Sequence, residues 1–210
     1  MDTASATTAS ATEETEATAE RERSDTRTRL VVATATLLQR QGYEGTSIKR
    51  ILKEAGATYG SLYHFFPHGK EELAAEALRH GSEDFARLLR EGLASSPDPA
   101  EAVAHCAHLM AGTLRDSDWT DGCPVAATAL EIIGRSPLIQ NASDEALKQW
   151  RGLIEARLTE GGIPGARAAA LACTILSALE GAELLCRVSG DDEPLRFAGE
   201  QLAVLVRANA

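Results

Sequence analysis

From Asp25 to the end of the chain, apolar residues recur at three- and four-residue steps, and glycines and prolines cut the pattern into helix-length segments. No stretch alternates apolar and polar residues with period two for long enough to make a strand. The expectation is an all-α fold of about nine helices. Leu30, Ala33, Thr34, Leu37 and Leu38 mark the first, opened by Ser24, Asp25 or Thr26 and stopped by Gly42. Thr46 or Ser47 caps a short second helix through Ile48, Ile51, Leu52 and Ala55, which Gly56 ends. A third short helix runs from about Thr58 to Phe65, before Pro67 and Gly69. A fourth starts near Lys70 and carries Leu73, Ala77, Leu78, Phe85, Leu88 and Leu89 up to a breaker cluster at 92–99. Further helices are expected at roughly 99–116, 124–135, 143–160, 165–188 and 192–208, with Ser136–Pro137 read as a break.

Charge divides the chain differently. The 210 residues carry a formal net charge of −10, which by itself argues against a protein that coats nucleic acid. The balance is uneven, however. Residues 1–25 hold 2 basic and 7 acidic side chains, residues 26–80 hold 8 basic and 5 acidic, and residues 81–210 hold 11 basic and 19 acidic. A mildly basic module thus lies between an acidic tail and an acidic body, an asymmetry that hints at nucleic-acid contact. Residues 1–24 are Ala, Thr, Ser and Glu with almost no large apolar side chain, and are expected to be a disordered acidic tail. They contain no apolar run of the signal-peptide kind. The best candidate membrane segment, 168–179, has only 12 uncharged residues, where a span needs ~20. Four cysteines without a CxxC pair suggest a reducing compartment and no zinc finger. A cytoplasmic location, with no metal, cofactor or membrane, is the expectation.

Two short helices joined by Ala55-Gly56-Ala57 describe a helix-turn-helix. The residues around it are more specific: Gly42-Tyr43-Glu44-Gly45-Thr46-Ser47-Ile48, then Gly60-Ser61-Leu62-Tyr63-His64-Phe65-Phe66-Pro67, then Lys70-Glu71-Glu72-Leu73. In order and spacing this string resembles the N-terminal DNA-binding domain of the TetR/AcrR family of transcriptional regulators. One departure is informative, because the family usually has one residue between proline and lysine and this chain has two, His68-Gly69. That ending looks like the LmrA/YxaF-like branch, as do Asp121-Gly122-Cys123-Pro124 and Leu179-Glu180-Gly181-Ala182. The resemblance implies a helix-turn-helix DNA-binding domain at 25–75 and a helical effector-binding and dimerisation domain at 76–210.

The chemistry of the head agrees with the resemblance. A recognition helix presents its N-terminal residues to base edges in the major groove. Here those are Thr58, Tyr59, Gly60 and Ser61, with Tyr63 and His64 one turn on and suited to phosphates. Tyr63 suits equally a place in the domain core with its hydroxyl outside. Thr46, Ser47 and Lys49 can hold a phosphate at the start of the second helix. Arg50 and Lys53 read as a solvated face, and Leu62 and Phe65 are expected to face Leu37, Ile48 and Ile51. Lys70 resembles the family's phosphate-contacting lysine. The recognition helix has no Arg, Asn or Gln, so direct readout should be modest, with shape and water contributing.

The body is read in less detail. Leu171, Ile175, Ala178, Leu179, Ala182 and Leu185, with Leu202 and Leu205 from the last helix, form a low apolar surface for pairing two copies, or pack inside the monomer. His105, His108, Leu109, Trp119, Cys123, Trp150, Ile154, Cys173, Leu176 and Glu180 are candidates to line an effector pocket. Cys123 is a redox switch or a packed thiol. There is no Gly-x-Ser-x-Gly, phosphate loop or HExxH, so no catalytic chemistry is visible. The expected function is a homodimeric repressor released from operator DNA by a small molecule. Rival readings are an architectural DNA binder without an effector, and a helical enzyme or carrier that keeps the helix-turn-helix as scaffold.

Overall fold

The structure, a computed structural model, describes residues 25–210; the expected acidic tail lies outside them. Nine helices and no strand are present among the described residues. They are α1 (25–41), α2 (Ile48–Ala55), α3 (Tyr59–Phe65), α4 (Lys70–Ala94), α5 (Pro99–Asp116), α6 (Pro124–Ile132), α7 (Pro137–Glu160), α8 (Gly165–Ser189) and α9 (Glu193–Arg207).

Local rules explain the head. Ser47, not Thr46, caps α2, its hydroxyl accepting from the Arg50 amide at 3.3 Å. Gly56 takes the left-handed conformation (φ 58°, ψ 40°), so Ala57 N–H can reach the Leu52 carbonyl at 3.0 Å and close the helix. Thr58 caps α3 by accepting from the Ser61 amide at 3.1 Å. Leu30, Leu38, Ile51, Leu62 and Leu73 make a sealed core under these turns. Leu62 faces that core as expected, but Phe66 rather than Phe65 is the buried aromatic, and Phe65 stays half-buried.

Helix α4 runs from head to body. Trp150 of α7 is fully buried against it, donating Nε1–H to the Ser82 carbonyl at 3.0 Å and lying 4.4 Å from the Phe85 ring. Two residues expected to break helices do not do so. Gly92 does not break α4: it is buried inside the helix, where a Cβ would lie 2.5 Å from Cys106 Sγ. The glycine is there so that α4 and α5 can cross closely. Pro137 does not separate helices but starts α7 at its first turn, where its missing N–H costs nothing, with Ser136 as cap. The gap between α6 and α7 is therefore only residues 133–136, and α7 starts six residues before the expected 143.

Helix α8 is 25 residues long and apolar enough to cross a membrane by length and composition, more than its 12-residue uncharged core suggested. In this fold it is a body helix packed on α7, α9 and α5, with 44% of its most apolar stretch buried.

Candidate nucleic-acid interface and interior cavity

Helix α3 presents Tyr59 and Tyr63, one turn apart and about half exposed, together with exposed Gly60 and His64. Ser61 is half-buried, and its hydroxyl lies 3.0 Å from that of the capping Thr58. Ser47 and Lys49 are exposed at the start of α2, as are Arg50 and Lys53. Tyr63 thus stands at the surface rather than in the core. Its ring lies over Gly69, where a Cβ would come within 3.3 Å of Cε1. Gly69 has φ 70°, so the extra residue before Lys70 brings a turn that only glycine adopts comfortably.

Two expected phosphate contacts need revision. Thr46 is completely buried, its hydroxyl donating to the Gly42 carbonyl at 2.7 Å and accepting from Gln41 Nε2 at 3.3 Å. It locks the turn after α1 and cannot reach a phosphate. Lys70 is half-buried; its Nζ donates to the Tyr43 carbonyl at 2.6 Å and sits 3.7 Å from that ring's centre. Burial lowers its pKa, opposed by Glu44 and Glu131. Its charge is therefore engaged inside the head before any DNA arrives.

That lysine belongs to a junction missed in the sequence. Glu131, near the end of α6, accepts the backbone N–H groups of Tyr43 (2.6 Å) and Glu44 (2.9 Å) in the α1–α2 turn. Arg135 pairs with Glu44 at 2.7 Å, and Arg40 of α1 pairs with Asp121 at 2.8 Å. Gly122 N–H reaches the Gln39 carbonyl at 3.4 Å. Besides the two ion pairs, the body grips the head through backbone groups of the head, which carry no signal in residue type.

Between the two lies a cavity of about 190 Å³. Val32, Ala35, Thr36 and Gln39 of α1 form one wall, so the head itself closes it. His80, Asp84, Phe85 and Leu88 of α4, Met110 and Leu114 of α5, Cys123, Pro124 and Glu183 supply most of the rest. Of the ten residues expected to line a pocket, only Cys123 borders this cavity. Trp150, Ile154 and Leu176 are packed in the core, and Cys173 is exposed. His108 and Leu109 border a shallow outer groove between α4 and α5, with His105 half-buried and stacked on His108 at 5.6 Å. Trp119 is held in the α5–α6 loop, its amide on the Leu114 carbonyl at 2.8 Å. Helix α5 turns Val103, Cys106, Ala107, Met110 and Leu114 inward, which leaves the histidines off that face.

The cavity's polar end is unusual. Glu183 is only 7% exposed, and burial, reinforced by Glu180, pushes its pKa up to about 8. Glu180 stands behind the wall, raised by burial and hydrogen-bonded to the Cys123 thiol. Burial and the two carboxyls hold Cys123 protonated, well above the usual thiol range. Cys123 is thus a packed thiol. Arg187 donates to the Thr120 carbonyl at 2.9 Å and covers Gly122, leaving no room there for a side chain.

The exposed apolar face of α8 and α9 differs from the one expected for pairing. Leu171, Ile175, Leu179, Ala182 and Leu202 are buried inside the monomer. Leu185 is exposed as expected, and beside it stand Leu184 and Val188 of α8, and Phe197 and Val204 of α9. Exposed Cys173, Ser177 and Gly181 keep the rest of that α8 face low, with Ala178 and Leu205 half-buried at its edge.

Residues 30–77 match the model of bacterial regulatory proteins of the tetR family, and residues 99–201 match that of the LmrA/YxaF-like transcriptional regulator C-terminal domain. The chain is 35% identical over 179 residues to the HTH-type transcriptional regulator YxaF of Bacillus subtilis, covering 85% of this chain and 94% of that one. It is 32% identical to the HTH-type transcriptional regulator LmrA of the same organism, over 80% and 89% of the two chains. A TetR transcriptional regulator from Chloroflexus aurantiacus has a similar structure, with a TM-score of 0.74 and 26% identity over 89% of this chain and 96% of that one.

Proposed function

Because the chain belongs to the tetR family of bacterial regulatory proteins, in its LmrA/YxaF-like branch, it is a DNA-binding transcriptional regulator, and we propose that it is a homodimeric repressor whose operator affinity is set by a small molecule in the α1-walled cavity. Regulators of this family bind operator DNA and usually act as dimers. The observation that carries the ligand-responsive reading is the cavity's position: one wall is a helix of the DNA-binding head, so filling it acts on the head directly.

In this reading Tyr59, Gly60 and Ser61 approach base edges, while Ser47, Lys49, Tyr63 and His64 contact phosphates. Helix α6 is the lever. Cys123 and Pro124 at its start border the cavity, and Glu131 near its end holds the α1–α2 turn. A ligand that displaces the start of α6 or the α1 wall shifts the population of head orientations. Helix α4, which spans both parts, carries the remainder. Two copies pair through the exposed α8 and α9 face, which sets the distance between recognition helices. Half-sites about 34–36 Å apart, or multiples of that, are then expected. The net charge of −10 limits non-specific association, because the acidic body stands away from the duplex.

The test is selection of bound sequences from random duplex DNA with the full chain, followed by affinity measurement at several salt concentrations. A two-fold-related site bound by one dimer is the expected result. Recovery of no preferred sequence would overturn the repressor reading in favour of an architectural binder.

A further inference from the structure

The charges around the cavity have one sign. Asp84, Asp121 and Glu183 line it, and no lysine or arginine does so among the described residues. Asp84 and Asp121 are neutralised from outside, by Arg87 at 2.7 Å and Arg40 at 2.8 Å. Glu183 forms no ion pair among the described residues and is more than nine-tenths buried. One turn before it, Glu180 Oε1 is buried with no hydrogen-bond partner. Arg187, one turn after, donates from one nitrogen to the Thr120 carbonyl, keeps a buried Nε without a partner, and opposes the rise of the Glu183 pKa without forming an ion pair with it. Keeping two carboxyls without an ion pair on an apolar core helix is costly even with hydrogen bonds from Cys123, unless a cation answers them.

We propose that the cavity binds a compact apolar cation, an ammonium group on an aromatic or aliphatic body, with the charge against Glu183. The inference rests on the reading of this cavity as the effector site. Val32, Phe85, Met110 and Leu114 supply the apolar wall, with Phe85 the aromatic side chain among the lining residues. The volume of about 190 Å³ lies below the roughly 300–1,000 Å³ of drug-sized sites, so the ligand is small. An anion would meet three acidic side chains and no lysine or arginine among the lining residues.

The proton balance is specific. Glu183 holds its proton at neutral pH, and a permanent cation expels it to the solvent, leaving a carboxylate–ammonium pair. Affinity for such a cation therefore rises with pH through the Glu183 range. The charged or titratable groups facing Glu183 are Glu180 and Arg187 on α8, Asp121 and Cys123 beside α6, and His80 and Asp84 on α4. The α1 and α5 linings contribute none.

Titration calorimetry on the full chain tests this with three probes of similar shape: benzyltrimethylammonium, its neutral carbon isostere neopentylbenzene, and 3-phenylpropionate. The cation should bind about tenfold or more tighter than the isostere, and the anion should not bind. Buffers of different ionisation enthalpy should reveal proton release with the cation alone. Glu183→Gln should bring cation and isostere within about threefold of each other while keeping isostere binding, which also reports an intact cavity. Equal binding of cation and isostere, no cation binding to folded protein, or a preference that survives Glu183→Gln would each overturn the inference. Operator affinity measured alongside separates the two readings. A cation bound through Glu183 that leaves DNA binding unchanged sinks the effector role alone, whereas release by neutral compounds only sinks the cation alone.

Discussion

The carboxylate of Glu131 receives the backbone N–H of Tyr43 at 2.6 Å, tying α6 to the turn that positions the DNA-binding helices. A second amide, from Glu44, shares the same oxygen at 2.9 Å. Removing the acceptor leaves two amides to find other partners. Glu131→Ala should cost about 1–3 kcal/mol in urea unfolding and speed hydrogen exchange at Tyr43 and Glu44, with Glu131→Gln intermediate. Unchanged exchange at those amides would show that the contact does not hold the turn.

Base-edge and phosphate contacts separate by salt. Tyr59→Ala should weaken binding to the selected site about tenfold and leave non-specific affinity nearly intact. Lys49→Ala should weaken both and lower the salt slope by roughly one unit. Lys70→Ala should act differently: with its ammonium on the Tyr43 carbonyl, its loss should first appear as lower head stability. A Lys70 variant of normal stability and reduced salt slope would contradict this.

Glu183 makes stability pH-dependent with a definite sign. Folded, its carboxyl keeps its proton to about pH 8; unfolded, it ionises near 4.5. Between those values unfolding releases a proton, so raising the pH favours unfolding, by up to about 1.4 kcal/mol per unit. Glu180, shifted the same way, adds to the slope. Glu183→Gln should flatten the stability profile between pH 5 and 8, with no difference from the parent near pH 4 and the largest gain at pH 8. Urea titrations across that range decide it; an equally steep profile in the variant would assign the slope elsewhere.

Two glycines inside helices should respond oppositely to alanine. At Gly92 the new Cβ meets Cys106 Sγ at 2.5 Å, so overpacking of about 1–3 kcal/mol outweighs the gain in helix propensity. At exposed Gly152 nothing lies within 4 Å, and alanine should stabilise α7 by up to about 1 kcal/mol. Thermal unfolding of both variants is the check.

Leu185 is 58% exposed on the face assigned to pairing. Leu185→Arg should give a monomer in sedimentation velocity at micromolar concentration, with helical content unchanged and operator affinity strongly reduced. A dimer that tolerates arginine there would move the interface off this face.

The head was legible almost residue by residue. Ser47, Gly56 and Thr58 are caps and turns that act through their immediate neighbours, and each does what its residue type allows. The body was legible as helices but not as surfaces. Gly92 and Pro137 read as breaks because those residues usually are; one instead permits a close crossing and the other opens a helix. Glu131 carried no signal because its partners are main-chain amides nearly ninety residues away.

By itself, then, the sequence determined the all-helical class, the helix-turn-helix and its family, because periodicity, caps and turn residues are local. Only the tertiary structure decided which helix faces enclose a void and which remain outside. Of Leu179 and Leu185, both expected on the pairing face, the rotation of α8 buries the first and exposes the second. That rotation is set by packing against α5, α7 and α9, and the same packing brings Glu183 to the cavity instead of the histidines of α5.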